Sequence, residues 1–145
     1  MSLMLAVTPQ ADWSFWQWVS FFITTRYPDF IRGAGVTLLI SITGTLVGLA
    51  IGLLIGIIKT IPYRPGQPVF QRVILKIVRG ILQVYIEVFR GTPMIVQAMV
   101  IYYGLAQVFK IYLPVIGAGI LIVSINTGAY MAEIVRGGIQ AIPKG

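Results

Sequence analysis

Residues 33–58 read GAGVTLLISITGTLVGLAIGLLIGII, 26 positions without a single charge. About 20 residues of helix cross the ~30 Å hydrocarbon core of a bilayer. A helix is also the only single segment that satisfies its own backbone there. The stretch exceeds that length, so it is expected to tilt or protrude. Within it Gly44, Gly48, Gly52 and Gly56 recur every four residues, and Thr37 and Ser41 extend roughly the same face. Such a stripe lets a second helix approach backbone to backbone. Ordinary bundle packing and a surface that slides or hinges both fit it.

Two further stretches carry no charge, residues 91–109 and 111–132, of 19 and 22 positions. The predicted fold class is therefore all-α integral membrane, with spans at about 33–58, 91–109 and 111–132. Composition agrees. The 145 residues are 57% hydrophobic and only 10% charged, where a soluble domain carries about 25%. Mean hydropathy is +0.89. There is no Cys and no His, which removes disulfides, thiol nucleophiles and imidazole bases. No metal or other cofactor is expected. No phosphate-binding Gly-x-x-x-x-Gly-Lys-[Ser/Thr] loop is present. The N-terminus lacks the basic flank of a cleaved signal peptide.

The net charge is +7. Clustered between apolar runs, such charge reads as cytoplasmic loops rather than as a nucleic-acid surface. Lys59, Arg64, Arg72, Lys76, Arg79 and Arg90 stand against Glu87 alone between the first two spans. Lys110 is the sole charge between the second and third. Asp12 and Asp29 balance Arg26 and Arg32 before the first span, and Arg136 and Lys144 follow the third. The long loop and the C-terminus are expected in the cytoplasm, with the N-terminus outside.

Two amphipathic segments lie beyond the spans. Residues 13–25, WSFWQWVSFFITT, place Ser14, Gln17, Ser20 and Thr24 at helical spacing among tryptophans. They read as a helix in the outer interface. The chain thus divides into an external N-terminal segment, 1–32, and a membrane domain, 33–145. Residues 69–89 set Arg72, Lys76, Arg79, Gln83 and Glu87 along one face, an amphipathic helix expected on the cytoplasmic surface. Pro62, Pro65, Gly66 and Pro68 break the chain before it.

Polar residues inside the spans are the candidate functional residues. Asn126, Tyr130 and Glu133 fall at i, i+4 and i+7, one helical face, and Gln97 lies in the second span. Polar groups cost several kcal/mol against lipid, so these face protein or a water-filled path. A solute path and plain helix–helix bonding both remain open. For Glu133 a local pair with Arg136 is the alternative. In YIEVFRGTPMIVQ, residues 85–97, Glu87 and Arg90 are spaced to pair. Gly91 lets the backbone turn, Thr92 can cap and Pro93 can open the next helix. The reading is a charged hinge.

YIEVFRGTPMIVQAMVIYYGL and INTGAYMAEIVRGGIQAIPKG together resemble the permease subunits of bacterial ABC importers for polar amino acids, of the histidine, glutamine and arginine type. The first span, GVTLLISITGTLVGLAIG, agrees. The resemblance implies a five-helix subunit in the inner membrane, paired with a second permease. Two cytoplasmic ATPase subunits and a periplasmic solute-binding protein complete the assembly it implies, and an amino acid is the solute. Among the middle helices it makes Gln97, Asn126, Tyr130 and Glu133 the substrate-path candidates. In that family IPKG precedes a Gln and a Glu-Ala-Ala coupling signature. The sequence stops at Gly145, so it is expected to be the N-terminal three-helix part. A non-transporting helix-bundle protein or assembly partner is the alternative. Two acids in or beside the spans, with no His or Cys, make a poor catalytic kit.

Overall fold

A computed structural model describes residues 12–63 and 66–142. Arg64, Pro65 and Lys144 of the predicted loop and tail lie outside the described residues. The described residues form five α-helices and no strand. They are α1 (Phe15–Thr25), α2 (Tyr27–Thr60), α3 (Val69–Gly91), α4 (Met94–Val108) and α5 (Val115–Ala141). The chain divides into two compact units, residues 1–37 and 38–145.

In the first unit α1 begins at Ser14, whose N–H donates to Gln17 Oε1 at 2.8 Å. The polar stripe of α1 bonds back along the helix, Ser20 to Gln17 O and Thr24 to Ser20 O. Trp13, Trp18, Phe21 and Phe22 cluster, with Trp18 stacked on Phe22 and the other ring contacts edge to face. No residue of α1 is buried.

The second unit is built on a parallel pair, α2 and α5. A Cβ built on Gly44 would meet Val123 at 2.6 Å, one on Gly48 Thr127 at 2.6 Å, and one on Gly56 Val135 at 2.6 Å, while Gly52 faces Met131. Each step of four along α2 meets a step of four along α5 in the same direction. Opposite the stripe lie Ser124, Gly128 and Ala132, all buried on α5. The glycines act as the small-residue face that the sequence implied.

α3 runs against both. Arg79 approaches the C-terminal end of α2, donating to the Ile58 and Ile61 carbonyls, with its guanidinium 4.9 Å over the Tyr63 ring. Six residues on, Tyr85 donates its O–H to Ile125 O, mid-way along α5, at 2.5 Å. Ile86 packs with Ile55 and Ala132. The polar stripe of α3 therefore turns inward in its second half, while Val73, Ile77, Ile81, Val84 and Val88 are exposed. Residues 69–78, the part of α3 before Arg79, are exposed except for the half-buried Leu75 and Val78. The exposed apolar side chains of α3 share one face of an amphipathic helix.

Among the described residues two helices, α2 and α5, are long and apolar enough to cross a membrane. α2 starts before the predicted span and ends after it, because Asp29 and Arg32 near its start and Lys59 at its end do not stop a helix. α4 has 15 residues, about 22 Å, and begins after the break that the predicted span included. Lys110 closes α4 in the left-handed region, φ 56°.

Candidate functional site

α3 ends at Gly91 and α4 starts at Met94. Between them Thr92 is extended, φ −113° and ψ 144°, and Pro93 is the N-cap of α4. Proline supplies no N–H to carry α3 onward, and it biases the residue before it away from helix. The last carbonyls of α3 need other donors. Gln97, 6% exposed, supplies them: its Nε2 lies 2.9 Å from Phe89 O, 2.8 Å from Thr92 O and 2.8 Å from Thr92 Oγ1. Thr92 itself donates to Val88 O at 2.7 Å. Asn126 on α5 donates to Phe89 O and to Gln97 Oε1, both at 3.1 Å. Gln97 and Asn126 are brought together, and their amide hydrogens hold the helix break.

Two turns further along α5 the chemistry becomes ionic. Lys59 Nζ, in the last turn of α2, donates to Glu133 Oε1 at 2.6 Å and to Gln83 Oε1 at 2.6 Å. Glu133 Oε2 accepts Nη2 and Nε of Arg136 at 2.8 and 3.1 Å. Gln83 Nε2 donates to Glu87 Oε1 at 2.6 Å, and Arg136 Nη1 donates to Gln140 Oε1 at 3.1 Å. The result is a continuous chain of bonds across α5, α2 and α3. The Lys59 side chain is 9% exposed and that of Glu133 17%. Charges so shielded from water are tolerated because each meets its opposite.

The expected local pair of Glu133 with Arg136 is present, joined by Lys59. The expected Glu87–Arg90 pair is not made. Glu87 accepts from Gln83, and the Arg90 guanidinium sits 5.5 Å over the Tyr130 ring. Glu87 turns to the local amide of Gln83, itself tied to Lys59 on α2, and Arg90 turns to Tyr130 on α5. An open cleft of about 480 Å³ lies among Gln83, Ile86, Glu87, Arg90, Gly91, Tyr130 and Glu133. Of the four path candidates, Tyr130 and Glu133 line it, and Gln97 and Asn126 do not. A second, apolar groove of about 540 Å³ separates α4 from α5 beside Met99, Tyr102 and Ile122.

Lys59, Gln83 and Tyr85 were not among the sequence candidates. Gln83 stood on the polar stripe, and Lys59 counted only as a loop charge. The one signal for Lys59 was its place three residues after the last stripe glycine, Gly56, a helical spacing that keeps it near the face of the stripe. Tyr85 left no signal, since an aromatic on that helix reads as apolar.

Residues 48–145 match the family described as binding-protein-dependent transport system inner membrane component. The glutamine transport system permease protein GlnP of Escherichia coli is 39% identical over 137 residues, covering 94% of this chain and 54% of that protein. The arginine transport system permease protein ArtQ of Bacillus subtilis is 33% identical over 120 residues, 83% of this chain and 49% of that protein. A crystal structure of an amino acid ABC transporter with histidines superposes at a TM-score of 0.70. It is 34% identical and covers 90% of this chain and 53% of that one. The chain spans about half the length of the relatives it matches.

Proposed function

The chain belongs to the inner-membrane components of binding-protein-dependent transport systems, and from that premise we propose that it forms part of the path of a polar amino acid through an ABC importer. The observation that carries this reading is the cleft of Glu87, Arg90 and Tyr130 beside a break in a helix. Transporters place solutes near the bilayer midplane at such broken helices. Here α4 is too short to cross alone. The second half of α3 followed by α4 makes one discontinuous traversal antiparallel to α5, with the break between its halves.

Orientation follows from charge. α2 and α5 end on the same side, and Lys59, Arg79 and Arg136 lie at that end. The positive-inside rule makes it cytoplasmic. The cleft then lies on the inner half of the path. In this reading the chain meets a second permease and two ATPase subunits, which hydrolyse the ATP, and receives its solute from a periplasmic binding protein. Gln97 and Asn126 hold the hinge, and Glu133 ties α5 to α2. Tyr130, Glu87 and Arg90 face the solute.

Reconstitution of the complete complex in proteoliposomes tests the reading. Uptake of radiolabelled glutamine or arginine that depends on ATP and falls at least about tenfold in Tyr130→Ala is expected. Unchanged uptake in Tyr130→Ala would remove the cleft from the path.

A further inference from the structure

The cleft holds two carboxylates, but they are not equivalent. Glu133 has both oxygens occupied, Oε1 by Lys59 and Oε2 by Arg136. Glu87 has one oxygen bonded, to the neutral amide of Gln83. Arg90 rests on the Tyr130 ring and hydrogen-bonds to no described residue. Lys59 does not line the cleft; it acts from behind, through Glu133.

We propose that Lys59 is a specificity-determining residue: by engaging Glu133 it leaves Glu87 and Arg90 as the one acid and one base open to solute. A free acid beside a free base matches the ammonium and carboxylate of a zwitterion. No acid is left over for a second ammonium or a guanidinium on the solute. With Lys59 and Arg136 counted, the local sum is one positive charge, which disfavours cationic side chains. The site therefore takes amino acids with neutral side chains over those with cationic ones. This rests on the reading of the cleft as the solute path.

The assembled transport complex in nanodiscs, without its solute-binding protein, is the object to test. Binding of radiolabelled glutamine is measured in competition with arginine. Wild type is expected to bind glutamine, with arginine weaker by about tenfold, the effect of one uncompensated charge. Lys59→Met releases one oxygen of Glu133. Arginine is then expected to gain at least about fivefold while glutamine changes by less than about twofold. Lys59→Arg retains the wild-type preference, because it keeps a cation on Glu133. Adding Glu133→Gln to Lys59→Met abolishes the gain. If Lys59→Met weakens both ligands alike, or wild type prefers arginine, the inference is overturned and the cleft remains a path. If wild type binds neither, the cleft is not the path and both readings fall.

Discussion

Gln97 shows how a single amide can hold an element boundary. Its Nε2 lies close to three acceptors at the end of α3, and its oxygen accepts from Asn126. Removing it leaves the Thr92 carbonyl without that donor and the Phe89 carbonyl with the Asn126 amide alone, and it takes from Asn126 its buried acceptor. A buried group stripped of its partner costs about 1–3 kcal/mol. Gln97→Ala is therefore expected to lower the thermal midpoint in detergent by that much stability. Pro93→Ala is expected to cost less than about 1 kcal/mol, because the donors that hold the break remain. Equal losses would mean that proline makes the break and the amide only decorates it. Glu133→Gln strands the shielded Lys59 ammonium, and breaking such a pair costs about 3–5 kcal/mol. The same thermal assay reads it, and a cost under about 1 kcal/mol would show the pair to be solvated.

The glycines of α2 differ by place. At Gly48 a Cβ would come within 2.6 Å of Thr127 and 2.9 Å of Ser124 O, which is backbone. At Gly35 nothing lies within 4 Å. Gly48→Ala is expected to force α2 and α5 apart at a cost of about 1–3 kcal/mol. Gly35→Ala is expected to be neutral or stabilising by up to about 1 kcal/mol, since alanine suits a helix better. Thermal unfolding of the two variants checks both. Alike outcomes would mean that the stripe is not the contact. On α3, the inward polar stripe reverses the rule for a helix in water. The exposed face of Val73, Ile77, Ile81, Val84 and Val88 suits acyl chains.

Across the molecule, the parallel course of α2 and α5 ties topology to charge. These 145 residues contain no cysteine, so single cysteines can be placed among them without a competing thiol in this stretch. In intact cells an impermeant maleimide is expected to reach Tyr112→Cys, in the turn between α4 and α5. It is expected to reach Gly66→Cys, before α3, only after permeabilisation. The reverse pattern would invert the proposed orientation and place the cleft on the outer half.

The sequence by itself determined the helical membrane class, the glycine contact face and the set of residues that lipid cannot tolerate. These follow from local facts: a run without charge, a period of four, a polar group in an apolar helix. Only the tertiary structure decided the partners. Glu133 was legible as a residue in need of an opposite charge, and nearby Arg136 met that need on paper. That Lys59 takes the other oxygen, 74 positions away, depends on how α2 lies along α5. Glu87 and Arg90 were spaced to pair, yet Gln83 and Tyr130 hold them instead. A buried polar group must find a partner, but which one it finds is set by the register between helices, a long-range property that no window of sequence contains.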